Sequence, residues 1–155
     1  MGRAGILDEL AAMAPLIAVR GNNDTEPWAA RLRETELIRV GGVFVYVIHN
    51  LAELDIEPGA AGVRVVVSGH SHKPAVEERD GILYVNPGSC GPRRFKLPIS
   101  AGELTVSGGA VEARVVDLSS GAAGVSGSPS PSRGDEAVNQ GANHSAEQRR
   151  SPKQP

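Results

Sequence analysis

Three histidines and one short polar run are the residues of this sequence best suited to catalysis or metal binding. The histidines are His49, His70 and His72, and the polar run is Asn22-Asn23-Asp24. Imidazole nitrogens and amide oxygens are ligands for divalent transition metals. Taken alone, each group has an ordinary alternative. A loop histidine is usually just exposed, and an Asn-Asn-Asp run usually forms a turn that caps the next helix.

Each of these groups follows a stretch that is typical of a buried strand. The apolar runs Leu16–Val19, Val43–Ile48 and Val63–Val67 are followed by the polar run, by the first histidine and by the histidine pair, in that order. Ligand sites in α/β sheets gather where loops leave the carboxyl ends of strands. We therefore expect these side chains to share one site at a sheet edge.

The remaining pattern predicts α/β structure in the first half and antiparallel β structure in the second. Helical spacing predicts a helix over about residues 5–13, and Pro27 suits the first turn of another that runs to about Arg33. Gly41-Gly42 predicts a hairpin turn, whereas Asn50–Gly62 is helical at best in its first half. Further strands are predicted over Leu37–Val40, Ala75–Glu78, Ile82–Val85, Lys96–Ser100, Leu104–Val106 and Val111–Leu118.

Composition separates one domain from a tail. Residues 1–118 hold nearly all the large apolar side chains, whereas 119–155 contain no Leu, Ile, Phe, Tyr, Trp or Met. Such a Ser-, Gly- and Pro-rich segment is expected to be disordered. The net charge of -2 argues against an extended nucleic-acid surface. The single Cys90, the lack of a signal-peptide pattern and the lack of a membrane-length apolar run predict a cytoplasmic protein without a membrane partner.

Four motifs together resemble the later motifs of the calcineurin-like metallophosphoesterases, and most closely those of their small bacterial and archaeal phosphodiesterases. They are Gly21-Asn22-Asn23-Asp24, His49 at the end of its apolar run, Gly69-His70-Ser71-His72 and Asn86-Pro87-Gly88-Ser89. The resemblance implies an α/β fold: a mixed β-sandwich flanked by helices in four layers, with the first strand region missing here. It also implies two divalent metal ions, of which Mn, Ni, Zn or Co are expected.

The resemblance also implies a role for each motif residue. Asn22, His49 and His70 would bind one ion, and His72 would reach the other. Asp24 would orient the loop around Asn22, and Asn23 occupies the position of the family's proton donor. The substrate-binding positions implied near the site are Asn86, Gly88, Ser89 and Arg93, with Arg94 as an alternative to the arginine.

The family's first two metal motifs, Asp-x-His and Gly-Asp, do not precede Gly21 in this sequence. They supply the carboxylates of a two-ion centre, including the one that bridges both ions. We therefore expect an N-terminally truncated form with little or no phosphoesterase activity of its own. Neutral amide and imidazole donors alone suit a single transition-metal ion better than Mg²⁺.

The expected substrate is a phosphate ester, above all a phosphodiester. Many relatives have a histidine that protonates the leaving group where this sequence has Asn23, and an amide is no general acid near neutral pH. The full-length parent should therefore favour good leaving groups. Two alternatives stay open: a non-catalytic scaffold, because this fold occurs in a trafficking-complex subunit, and a structural single-metal site. The oligomeric state is left open.

Overall fold

The computed structural model describes residues 5–119 and the backbone of residues 124–125. The predicted disordered tail therefore lies almost wholly outside the described residues. Short 3₁₀ turns occupy Pro27–Arg31 and Leu51–Glu53. The other elements in chain order are α1 (Gly5–Ala11), β1 (Thr35–Val40), β2 (Val43–Ile48), β3 (Val63–Val67), β4 (Ala75–Arg79), β5 (Ile82–Asn86), β6 (Ser100–Ser107), β7 (Ala110–Asp117) and β8 (Gly124–Val125).

The strands form two sheets, one mixed and one antiparallel. The larger sheet has the order β1-β2-β3-β5-β4, in which β2, β3 and β5 run parallel and the two outer strands run antiparallel to their neighbours. The smaller sheet has the order β6-β7-β8. This architecture confirms the predicted α/β fold with a mixed sheet. The second half is not wholly antiparallel, because β5 pairs in parallel with β3.

The central strands are buried on both faces, which explains their nearly unbroken apolar sequences. Val45 and Val65 face the second sheet, where they pack with Leu104 and other apolar residues of β6 and β7. Tyr46 and Val66 face the opposite side, beneath the partly buried apolar residues of the segment that follows β2. The pairing of β2 with β3 shifts register by one residue between Phe44 and Val45.

Two predicted strands are wrong. Leu16–Val19 forms only a single bridge, between Val19 and Arg33, and Ile17 is 54% exposed. A strand needs a neighbouring backbone that continues the ladder, and the chain after Arg33 turns away to pair as β1 with β2. Lys96–Ser100 is also not a strand. The segment before Ser100 is a turn, and Ile99 makes one isolated bridge.

The predicted helices are shorter than their sequence patterns. Within residues 5–119 the one α-helix is α1, which ends at Ala11 and buries Leu7. The segment from Pro27 is a 3₁₀ turn that ends at Arg31, and the segment after Asn50 is a 3₁₀ turn of three residues. No helix in this part of the chain has the length and apolar character required to cross a bilayer.

Val65 lies between the two sheets with no exposed surface, so it tests the importance of this packing. We expect Val65→Ala to lower the free energy of unfolding by about 2 kcal/mol, because it removes two buried carbons and leaves a cavity. Val40→Ala, at a valine that is 44% exposed, is the control and should change stability by less than about 0.5 kcal/mol. Urea unfolding measures both, and equal losses would contradict the assigned core.

Candidate metal centre

The loops that follow β2 and β3 bring two predicted ligands together with a third. The two strands are parallel, so their carboxyl ends meet at one edge, where Val47 pairs with Val67. Nε2 of His49 lies 2.8 Å from Oδ1 of Asn22 and 3.3 Å from Nδ1 of His70. The two imidazole rings stand edge to face, with their centroids 5.2 Å apart.

The loop that carries Asn22 is folded around an internal carboxylate. The backbone N–H of Gly21 donates to Oδ2 of Asp24 over 2.9 Å, and the N–H of Asp24 donates back to the Gly21 carbonyl over 3.0 Å. A Cβ at Gly21 would stand 3.2 Å from the His49 ring, so the backbone approaches that imidazole closely. Burial alone would raise the pKa of the Asp24 carboxyl, but hydrogen bonds, including that from Gly21, and the charge of His49 lower it below its usual value.

The histidine loop adopts an unusual backbone conformation. His70 and His72 have φ angles of 61° and 58°, in the left-handed region that side chains other than glycine rarely adopt. Such residues persist only where their surroundings hold them, and they are concentrated at functional sites. Between them, the N–H of Ser71 donates to the Gly69 carbonyl over 2.7 Å and closes a tight turn.

The side chain of Asn86 holds this loop. Its Nδ2 donates to the Gly69 carbonyl over 2.8 Å and to Oγ of Ser71 over 3.0 Å. Its Oδ1 accepts the backbone N–H of Gly88 over 3.0 Å. The amide therefore ties the end of β5 to the turn that presents His70. The family resemblance implies substrate binding by Asn86, which stays a prediction, and the structure adds this role as a clamp.

Electrostatics favour a neutral imidazole at the centre. Burial is the largest influence on His49 and lowers its pKa, and the charges of His70 and His72 lower it further. Asp24 and Glu53 act in the opposite direction, but the net shift is downward. A neutral ring keeps a lone pair for a cation. Within the described residues His72 makes no hydrogen bond to the other two imidazoles, although its charge acts on one of them.

The other predicted substrate-binding residues are engaged in holding their own loop. Gly88 has a φ of 83° and packs so closely that a Cβ would stand 2.1 Å from Oγ of Ser100. That hydroxyl is buried and donates to the Pro87 carbonyl over 2.7 Å. Ser89 accepts the N–H of Ser100 through its carbonyl, and Nε of Arg93 donates to the Leu97 carbonyl. Their contact with a substrate stays a prediction.

A cavity of about 210 Å³ opens beside the cluster. Arg20 is ion-paired with Glu34 on its wall, and Tyr46 donates to Asp55 over 3.1 Å. The full lining consists of Arg20, Gly21, Asn22, Glu34, Thr35, Ile48, His49, Glu53 and Asp55. The sequence patterns did not predict this carboxylate-rich wall, because the residues that line the cavity come from four separate segments without a common motif.

The donor set fits one transition-metal ion. Ligands about 2.05 Å from a tetrahedral ion lie about 3.3 Å apart, which matches the spacing of the two imidazole nitrogens. A shared proton could satisfy only one of the contacts between His49 and its two neighbours, whereas a cation can accept lone pairs from all three. No three His, Cys, Asp or Glu side chains in residues 5–119 are grouped to hold a metal.

Comparison with known proteins identifies the family of this chain. The profile of the calcineurin-like phosphoesterase superfamily domain matches residues 1–109. Because the match covers well over half of the sequence, the chain belongs to this superfamily.

Two archaeal proteins and one solved structure are similar to this chain. The chain is 33% identical to a probable metallophosphoesterase of Methanothermobacter thermautotrophicus over 72% of its own length and 67% of the relative's. It is 30% identical to a phosphodiesterase of Methanocaldococcus jannaschii over 50% of its length, which is 54% of that protein. Vps29 of Entamoeba histolytica in complex with Zn²⁺ shares the fold, with a TM-score of 0.65, 22% identity and coverage of 81% of this chain and 77% of Vps29.

Gly88 offers a test of the loop next to the cluster, with Gly109 as its control. Both have φ near 85°, but a Cβ at Gly109 meets nothing within 4 Å. Each Gly→Ala change should lose about 1 kcal/mol of stability to the left-handed backbone. Gly88→Ala should lose at least about 1 kcal/mol more, because it displaces the buried Ser100. Thermal unfolding of both variants measures the difference, and equal losses would show that the contact is unimportant.

Proposed function

We propose that this chain carries the imidazole–amide part of a metal-dependent phosphodiesterase centre. Asn22, His49 and His70 would hold one divalent ion, and His72 would serve a second ion. The observation that carries the proposal is the convergence of two groups on Nε2 of His49: Oδ1 of Asn22 lies 2.8 Å from it and Nδ1 of His70 lies 3.3 Å from it. When bound, such an ion acts as a Lewis acid on the phosphoryl oxygen and lowers the pKa of a coordinated water.

The residues around the ion would position and tune it. Asp24 fixes the Asn22 loop through the Gly21 N–H, and Asn86 fixes the turn that presents His70. The lowered pKa of His49, caused first by burial, keeps its nitrogen available to the ion near neutral pH. All three proposed ligands are neutral, so Zn²⁺, Ni²⁺, Co²⁺ or Mn²⁺ would be preferred to Mg²⁺.

The proposed substrate class follows from Asn23, the residue next to the proposed ligand Asn22. Asn23 is exposed in the same loop, and its amide cannot protonate a departing alkoxide. A substrate must then have a leaving group that departs without this help, as in activated diesters. The similar M. jannaschii protein is named a phosphodiesterase, which supports a diester as the substrate of this chain. The chain spans about half of that relative, and the described residues lack a bridging carboxylate, so we expect little hydrolysis by residues 1–155 alone.

The second candidate is a scaffold that binds partners without hydrolysis. The fold similarity to Vps29 supports it, and that protein binds Zn²⁺ in its crystal. Metal titration separates the possibilities. Two coupled ions favour the enzyme, whereas one tight ion or none favours a non-catalytic role, as a structural site or as a scaffold.

Removal of one imidazole tests the metal site directly. We expect His49→Ala and His70→Ala each to weaken Zn²⁺ or Co²⁺ binding at least tenfold, because each removes a ligand. His144→Ala is the matched control, because that histidine lies outside the motifs. Isothermal titration calorimetry measures the affinities. Unchanged affinity in both cluster variants would refute the proposed centre.

The Asn86 clamp should affect the metal without touching it. We expect Asn86→Ala to reduce Zn²⁺ affinity about 10- to 100-fold, as is typical of residues that orient a ligand. Ser71→Ala, which removes one of the three hydrogen bonds, should have a smaller effect. Unfolding of the metal-free variants provides the control. A loss of stability in Asn86→Ala without a loss of affinity would show that the clamp is structural only.

A further inference from the structure

The loop that follows the Asn86–Ser89 motif presents an aromatic ring to solvent. The N–H of Leu97 donates to the Arg94 carbonyl over 3.0 Å, which closes a four-residue turn with Phe95 at its second position. The Phe95 side chain is 91% exposed, the most exposed large apolar residue of the described chain. Its φ of 53° is one that a bulky residue seldom adopts. Neither burial nor backbone preference explains a phenylalanine there.

The same turn is a local concentration of positive charge. Residues 81–102 contain Arg93, Arg94 and Lys96 but no acidic residue, in a chain whose net charge is -2. Arg93 braces the turn through the Leu97 carbonyl and interacts electrostatically with Asp117. Within the described residues neither Arg94 nor Lys96 makes an ion pair. The aromatic ring is therefore flanked by two cations that are available to an anion.

The turn belongs to the connection that follows β5, whose last residue contacts the histidine loop. It begins a few residues after Asn86, whose amide bonds to Gly69 in the histidine loop. Ser89 and Ser100 close its base through the bond between the Ser100 N–H and the Ser89 carbonyl. The connection between β5 and β6 therefore carries this turn, and it begins at the residue that holds the histidine loop.

We propose that this turn, residues 93–97, binds nucleobase-bearing phosphodiesters. Phe95 stacks on a base, and Arg94 and Lys96 contact the phosphates on either side. Aromatic rings between cations bind single-stranded nucleic acids in this way, because every base has a face that can stack. The inference deepens the proposed function, on which it rests, by naming the substrate class. An anionic lipid surface would also attract cations, but the adjacent phosphoesterase motifs favour a nucleotide ligand.

Binding can be tested without hydrolysis and without metal. The probe is a fluorescein-labelled single-stranded oligothymidylate of about eight nucleotides, compared with an abasic strand of the same charge. Fluorescence anisotropy in EDTA gives the affinities of the full chain and its variants. Vesicles with and without phosphatidylserine test the lipid alternative by sedimentation. Because EDTA removes any bound ion, the anisotropy measurement does not depend on the metal site.

The variants should separate stacking from charge. Phe95→Ala should weaken binding of the base-containing strand about tenfold and remove its advantage over the abasic strand, and Phe95→Trp should restore it. Arg94→Gln and Lys96→Gln should weaken both strands and flatten the salt dependence. Arg64→Gln, at an exposed cation on β3, should change neither.

Three outcomes would overturn the inference. The first is equal affinity for the two strands, and the second is unchanged binding by Phe95→Ala. The third is Phe95-dependent binding to phosphatidylserine vesicles without binding to the strand, which would assign the turn to lipid. Failure of metal binding with intact, Phe95-dependent strand binding would instead contradict only the proposed metal centre.

Discussion

Two hydrogen bonds donated by the side-chain amide of Asn86 hold the histidine turn, whose left-handed backbone is a conformation that histidine rarely adopts. Asn86 binds Gly69 and Ser71 on one side and Gly88 on the other. The left-handed backbone at His70 directs its ring at His49, and without a partner for the turn carbonyl this geometry would relax. The candidate metal centre therefore depends on a residue of β5 that is not itself one of the proposed ligands.

Burial of the central sheet on both faces restricts the movement of the strand ends that carry the candidate site. The strands β2, β3 and β5 are parallel neighbours, and β2 and β3 are packed between the second sheet and the segment after β2. Their ends consequently have little freedom to shift, because close-packed interiors resist small displacements. Sites on rigid elements hold ligand geometry better than sites on free loops. Here short loops leave a rigid edge, and each is tied to its neighbour by a hydrogen bond.

The end of β5 connects the candidate metal centre to the turn proposed to bind nucleobases. Asn86, at the end of β5, hydrogen-bonds to the turn that presents His70. Further along the same connection is the basic turn around Phe95. Neutral ligands leave the full charge of an ion available to a phosphate, because no carboxylate among them offsets it. The separate cations of the turn supply charge at a distance from that ion. In the proposed function, the two sets of contacts would serve different parts of an extended phosphodiester.

The sequence alone predicted the strands that have a strong local pattern, and it supplied the candidate residues of the site. The unbroken valine-rich runs of β2 and β3 and the glycine turns at Gly41-Gly42 and Gly108-Gly109 follow from burial and from backbone preference, which are local properties. The tertiary structure decided the rest. Leu16–Val19 has the same apolar character but lacks a continuing partner, and the clamp made by Asn86 requires contacts across fifteen or more residues. Hydrogen-bond partners distant along the chain leave no local pattern, so these features could be read only from the fold.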